Sequence, residues 1–171
     1  MDIPKRKPNR LKEFDYSQPG AYFITICTKD KQSIFWENVG ASIARPDTVP
    51  LSAYGKIAEE AIQNITTHYP MITVDNYVVM PNHIHLLLQI TADGSGRAML
   101  APTISKVVQQ MKGYVTKKIG ESIWQKLFHD HVIRGEQDYL KIWEYIENNP
   151  KQWELDCFYV KEELDVPFYR Q

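Results

Sequence analysis

Cysteine is scarce in this sequence. Cys27 and Cys157 are the only two, and they sit near opposite ends of the chain. They match neither a zinc-ligand nor a redox spacing, which excludes a disulfide scaffold and a thiolate metal site. Long apolar runs are missing as well. No stretch approaches the ~18 residues of a bilayer span, and the basic N-terminus is not followed by an apolar signal-peptide core. The expected location is therefore cytoplasmic, with no membrane partner. There is no internal repeat and no compositional break that would mark a second domain. A chain of 171 residues is long enough to bury a core without covalent staples. The expectation is one domain over 1–171, with a basic arm over 1–18 and a tail over 151–171.

A dominant charge is also lacking, since the net charge is −1. The balance is uneven along the chain, however. Residues 1–134 carry 16 Lys and Arg against 12 Asp and Glu, whereas residues 135–171 carry 4 against 9. The sharpest basic stretch holds Lys5, Arg6, Lys7, Arg10 and Lys12 against Asp2 alone. A second runs through Lys106, Lys112, Lys117 and Lys118. Such runs are commonly solvated surface, but a basic arm with prolines is also suited to touching phosphate.

What is present has clear periodicity. AYFITICT (Ala21 to Thr28) is aromatic and β-branched, and reads as a strand. A helix follows between Leu51 and Tyr69, with Ala53, Ile57, Ala58, Ala61, Ile62 and Ile65 at helical spacing, and stops before Pro70. Two strands over 72–79 and 83–90 are joined tightly at Met80 to Asn82. Thr103 caps a second helix with Ile104, Val107, Val108, Met111, Val115 and Ile119 on one side, and Gly120 ends it. LFHDHVI (Leu127 to Ile133) alternates as a strand. A third helix spans about 137–149 and is stopped by Pro150. The order β-α-β-β-α-β with an appended helix is the split βαβ pattern: an α+β, ferredoxin-like antiparallel sheet with two helices on one face.

The stretch YVVMPNHIHLLLQI (Tyr77 to Ile90) carries the chemistry. Side chains alternate along a strand, so Ile84, Leu86, Leu88 and Ile90 share the core face and His83, His85, Leu87 and Gln89 the other. A buried sheet face has little reason to hold two polar rings side by side unless each is partnered. A solvated strand is the bland alternative. In the third helix Tyr139, Ile142, Trp143 and Ile146 form the expected core stripe. Tyr145 and Asn149, four apart, stack beside it. Asn149 also reads as a helix cap, and Tyr145 as an interfacial aromatic. Taken together, two imidazoles and a carboxamide oxygen make an incomplete coordination sphere for a divalent cation, with a phenol beside it. A free tyrosine ionises near pH 10, so nucleophilic attack needs a cation or base nearby.

These pieces, together with FDYSQPGAYFITICT, VVMPNHIHLLL, IWQKLFHDHVIRGEQDY and WEYIENNP in that order, resemble the REP-associated tyrosine transposases of the HUH single-tyrosine superfamily. The resemblance covers about residues 10–150. It implies a single-stranded DNA endonuclease and strand transferase acting on hairpin-forming repeats. In such enzymes the paired histidines, here His83 and His85, hold Mg²⁺ or Mn²⁺, with Asn149 completing the metal site. The helix tyrosine, here Tyr145, attacks a DNA phosphate to give a 5′-phosphotyrosine and a free 3′-hydroxyl. Lys5, Arg6, Lys7, Arg10, Lys12, Lys106, Lys112, Lys117, His131 and Arg134 are the candidate DNA contacts, and a nucleoid-associated location follows. The second His-X-His, His129 and His131, could line the site, hold the scissile strand or merely flank it, with His131 the phosphate-contact candidate of the two. Tyr114 is the rival nucleophile, but position 118 is Lys and no amide lies four residues on. A non-catalytic module that only holds structured DNA, and a metal phosphodiesterase using water, remain the alternatives. Whether the chain works alone or as a homodimer stays open.

Overall fold

The computed structural model describes residues 14–37, 50–91 and 103–160. Strands β1 (Gly20–Cys27), β2 (Ile72–Val79), β3 (His83–Ile90) and β4 (His129–Val132) form one antiparallel sheet in the order β2-β3-β1-β4. Helices α1 (Ala53–His68) and α2 (Ile104–Ile119) follow β1 and β3, and α3 (Glu136–Asn148) follows β4. This is the ferredoxin-like α+β arrangement that the element order predicts.

Alternation divides the sheet into two faces. Tyr22, Ile24 and Ile26 of β1 and Ile84, Leu86, Leu88 and Ile90 of β3 pack against Ala58, Ile62 and Ile65 of α1 and Val107, Val108, Met111 and Val115 of α2. Burial of this apolar set drives the fold. On the opposite face Leu87, Val78 and Met80 pack on Ile146 of α3, with Phe23, Ile142, Tyr139 and Trp153 around them. β2 serves both cores through a bulge at Asp75, where the register slips between Val74 and Asn76. Ile72 and Val74 face the helix pair before it, and Tyr77 and Val79 after it, because one extra residue reverses the phase of a strand.

The helix ends follow local chemistry. Ser52 Oγ accepts from Gly55 N at 3.1 Å, and Thr103 Oγ1 accepts from Lys106 N at 3.3 Å, each filling an orphan donor of a first turn. Gly120 closes α2 with φ 92°, in the left-handed region that glycine adopts without strain.

Three expectations need correction. The stripe of α3 is narrower than its periodicity implies: Ile146 is buried, Tyr139 and Ile142 are half-buried, but Trp143 is 37% exposed and stacks on Tyr139 at the rim. Pro150 does not end helical structure, since Asn149–Leu155 continue as a 3-10 turn with the proline in its first positions, where no N–H is required of it. The last strand is shorter than 127–133, and Leu127 is exposed. In the loop that leads away from β1, Phe35 is buried and Trp36 Nε1 donates to Val79 O at 2.7 Å. The arm cations Lys5, Arg6, Lys7, Arg10 and Lys12 lie outside the described residues, as does Phe168 of the tail. Among the described residues no helix is long and apolar enough to cross a membrane.

Candidate active site

The turn Met80 to Asn82 delivers β3 beneath α3, and the first residues of the strand build the site. His83 and His85 are 0% and 1% exposed, so each ring nitrogen needs a partner. Asn82 Oδ1 lies 2.9 Å from His83 Nδ1. Asn82 itself is tied down by Nδ2 donating to Lys31 O at 3.2 Å and Phe158 O at 2.9 Å. Across the β1–β3 register Thr25 pairs with His85, and its Oγ1 lies 2.8 Å from His85 Nδ1. The two outer nitrogens are thus occupied, and the two Nε2 atoms meet at 3.0 Å. With Asn82 Oδ1 accepting from His83 Nδ1–H, a neutral His83 keeps its Nε2 lone pair. The Thr25 hydroxyl can donate or accept, so it suits either tautomer of His85.

Burial sets the protonation state. Desolvation holds His83 down to about 4, with Asp156 opposing and Lys31 assisting. It holds His85 well below the ordinary imidazole value, and His83 adds to the effect. Both rings are therefore neutral at neutral pH, the form in which imidazole ligates metal.

Tyr145 stands over this pair. Its hydroxyl is 3.4 Å from His85 Nε2 and donates to Asp156 Oδ2 at 3.2 Å. The ring lies 5.2 Å from that of His85 and meets Phe23 edge-on at 6.0 Å. Burial, and then the Asp156 carboxylate, push the phenol up to about 12, so the anion is disfavoured without a cation beside it. Asn149, one turn on and buried, donates Nδ2 to Asp156 Oδ2 at 3.0 Å. Its Oδ1 is buried without a hydrogen-bond partner, which is costly unless something electropositive meets it.

Asp156 is the member that sequence reasoning missed. It follows the 3-10 turn, in a tail without periodicity, and no local signal marks it. Its Oδ2 is 4.0 Å from His83 Nε2, and Oδ1 accepts from Phe158 N at 2.7 Å. His83, His85 and Asp156 bring ligand atoms within 4.8 Å of one another. Two neutral nitrogens, a carboxylate and an orphaned amide oxygen form a donor set that fits a divalent cation. Phe158 covers His83 at 4.6 Å, Trp153 lies 5.8 Å from it, and Phe23 stacks on His85 at 5.1 Å. This aromatic wall excludes water and strengthens electrostatics inside it.

The other candidates fall elsewhere. α2 lies on the opposite face of the sheet, so Lys106 and Lys117, both exposed, are remote from Tyr145. Lys112 is not on a free basic face. Its Nζ donates to Gln125 O at 2.8 Å and Leu127 O at 3.4 Å, holding the chain between α2 and β4. Tyr114 is also on the far side, bonded to Glu60 and beneath Lys118, away from both histidines. His129, His131 and Arg134 border the site: β4 pairs with β1 so that His129 and His131 lie opposite Thr25 and Phe23.

No model of a known protein family matches the chain. A solved structure of a REP-associated tyrosine transposase bound to a REP hairpin shares the fold, with a TM-score of 0.61 and 22% identity, over 84% of this chain and 74% of that one. The sheet, its helices and their order are thus those of a transposase. An uncharacterised protein of Haemophilus influenzae is 33% identical over 177 residues, covering 92% of this chain and 95% of the relative. A second protein of that organism, named as a REP-associated tyrosine transposase, is 26% identical over 169 residues, covering 88% of this chain and 87% of its own. The chain is thus similar to REP-associated tyrosine transposases in sequence and in fold.

Proposed function

We propose that this protein is a metal-dependent enzyme that cuts and rejoins single-stranded DNA beside hairpin-forming repeats, with Tyr145 as nucleophile. The observation that carries this reading is the convergence of two buried, neutral imidazoles and a carboxylate beneath one solvent-facing phenol. Tyr145 Oη reaches His85 Nε2 at 3.4 Å and Asp156 Oδ2 at 3.2 Å. His83, His85 and the orphaned oxygen of Asn149 would hold Mg²⁺ or Mn²⁺. Asp156 adds the negative charge that two neutral rings and an amide lack. When bound, the cation supplies Lewis-acid polarisation of the scissile phosphate and stabilises the phenolate.

The chain's own groups do the rest. Tyr145 attacks phosphorus, the P–O3′ bond breaks, and the products are a 5′-phosphotyrosine and a free 3′-hydroxyl. The phenolic proton passes along the existing bond to Asp156, and the departing O3′ takes up a proton from solvent to become the hydroxyl. Asn149 Nδ2, bonded to the same oxygen, keeps the carboxylate in place. Attack by a 3′-hydroxyl on the phosphotyrosine reverses the step and joins strands. Lys5, Arg6, Lys7, Arg10, Lys12, Lys106, Lys117, His131 and Arg134 are the DNA contacts in this reading.

A labelled hairpin with single-stranded flanks, drawn from the DNA beside the coding region and incubated with Mn²⁺, tests it on a denaturing gel. The expected result is a covalent protein–DNA adduct that vanishes in Tyr145→Phe while binding persists. A protein that holds the hairpin yet gives no adduct is the non-catalytic module instead. Free 5′-phosphate that survives Tyr145→Phe identifies water as the nucleophile.

A further inference from the structure

The second His-X-His, His129 and His131 on β4, enters the proposed function only through His131 as a DNA contact, with no place for His129 and no account of how His131 is held. β4 is an edge strand, four residues long, and pairs with β1 in the register Tyr22↔Val132, Phe23↔His131, Ile24↔Asp130, Thr25↔His129. Tyr22, Ile24 and Val132 pack toward the helix pair. Phe23, Thr25, His129 and His131 therefore share the other face, which is the face of His85 and Tyr145. Two rows cross it. In one, His85, Thr25 and His129 lie side by side on three adjacent strands, and Thr25 is bonded to His85. In the other, Leu87, Phe23 and His131 do the same, and Phe23 touches the rings of both His85 and Tyr145.

This half of the face is open. α3 packs on β2 and β3, leaving both β4 histidines exposed. One of them is held. His131 Nε2 lies 2.8 Å from Asp138 Oδ2, and the same oxygen accepts from Arg134 N at 3.0 Å. Asp138 and Tyr145 are seven residues apart on α3, so they look out from the same side of the helix. Hydrogen bonds from Arg134 and His131 keep the Asp138 carboxyl below its ordinary range, so the anchor stays anionic. Local capping of α3 explains the bond to Arg134 N but not why a histidine on the neighbouring strand is engaged. The result is a shelf about two strand spacings wide, roughly 10 Å. Its floor is the Phe23 ring, the nucleophile stands on one side, and paired imidazoles stand on the other.

We propose that β4 is a strand-holding subsite. His131, oriented by Asp138, and His129 grip phosphates next to the scissile one, and a base lies on Phe23. The exposed single strand is thereby drawn across the sheet to Tyr145. With Nε2 of His131 on Asp138, its Nδ1 is the ring atom left to meet a phosphate oxygen. Stacking on an aromatic floor is indifferent to base identity. The subsite thus positions the strand rather than reading it. Asp138 acts through His131 and is a positioning residue. This inference rests on the single-stranded DNA reading of the neighbouring site.

The test is a methylphosphonate scan of the single-stranded flanks of the same hairpin. Affinity is measured in the Tyr145→Phe background, so that cleavage does not intervene. Neutralising one phosphate beside the scissile position is expected to weaken binding about tenfold, the worth of one charge-assisted hydrogen bond. In His131→Ala the unmodified oligonucleotide should bind about tenfold more weakly, and the same methylphosphonate should then cost nothing further. Asp138→Asn should show a partial loss at the same position, and His131→Arg should restore sensitivity. A uniform loss for every oligonucleotide, with the position-specific effect intact, would mean that His131 only supports the fold, and overturns the inference. Unchanged binding by His131→Ala and His129→Ala overturns it too, and leaves the Tyr145 chemistry standing if adducts still form. A protein that binds none of the oligonucleotides removes both readings at once.

Discussion

At the residue scale, the paired imidazoles are set by what binds their far sides. Thr25 and Asn82 leave the two Nε2 atoms facing each other, so neither ring can rotate away without losing a buried hydrogen bond. Thr25→Val keeps the shape but removes the hydroxyl. It is expected to weaken Mn²⁺ binding by about tenfold to a hundredfold, as loss of an outer partner does, measurable by calorimetric titration. Asn149→Ala removes the orphaned oxygen, and should lower the same affinity without changing the sheet. The neutral, buried state of the rings also has a pH signature. Both are held below the ordinary 6.5, so the unfolded chain takes up protons first as the pH falls. Their contribution is complete above about 6.5 and is lost as the pH drops through the His83 value of about 4. Melting temperature in metal-free buffer should fall over that window, and less steeply in His83→Gln.

That His83 and His85 share one face, and Tyr145 and Asn149 another, was legible in the sequence from strand and helix periodicity; the roles offered for them come from the family resemblance. Thr25, Asn82, Asp156 and Phe158 were not legible. Thr25 meets His85 through strand pairing 60 residues apart, and register is not written in either strand alone. Asp156 and Phe158 come from a tail whose path is decided by the cluster it covers.

At the element scale, α3 positions Tyr145, the proposed nucleophile, and is held by few contacts. Ile146 is its one buried side chain, seated on Val78, Met80 and Leu87. Tyr139 Oη adds a bond to Asp75 Oδ2 at 2.8 Å. Ile146→Ala should destabilise the protein by about 2–5 kcal/mol, read by denaturant unfolding. It should also reduce adduct formation more than Leu140→Ala, an exposed residue on the same helix. Beside the turn that leads into β3, α1 approaches the Phe35 loop so closely that a Cβ on Gly55 would collide with Phe35 O. Gly55→Ala must move backbone, and should cost about 1–3 kcal/mol. Element existence and order followed from periodicity, since each run is long and strongly patterned. The misplaced parts were edges. Trp143 satisfies the helical period but lies beyond the ground that β2 and β3 cover. Pro150 could not reveal that the chain tightens into a 3-10 turn and continues.

At the scale of the whole molecule, the sheet order puts β3 inside, bonded to β2 on one side and β1 on the other. The order β2-β3-β1-β4 was legible through the β-α-β-β-α-β connectivity, because short links and handed crossovers leave few alternatives. Which half of the second face α3 would cover was not legible, because that depends on the Asp75 bulge and on one buried isoleucine. Hydrogen exchange should register the difference between inner and outer strands. Amides of β3 are expected to exchange only through global unfolding, and those of the short edge strand β4 through smaller openings, as measured by deuterium uptake of the corresponding peptides.

The inner placement of β3 also governs how this protein wears out. Its paired rings share a backbone with Leu86 and Leu88 at the centre of the main core. No partial loosening can therefore release them while the remainder stays intact. Heat or denaturant should leave the paired imidazoles in place up to the cooperative transition and separate them there, so that loss of Mn²⁺ binding and melting trace a single curve.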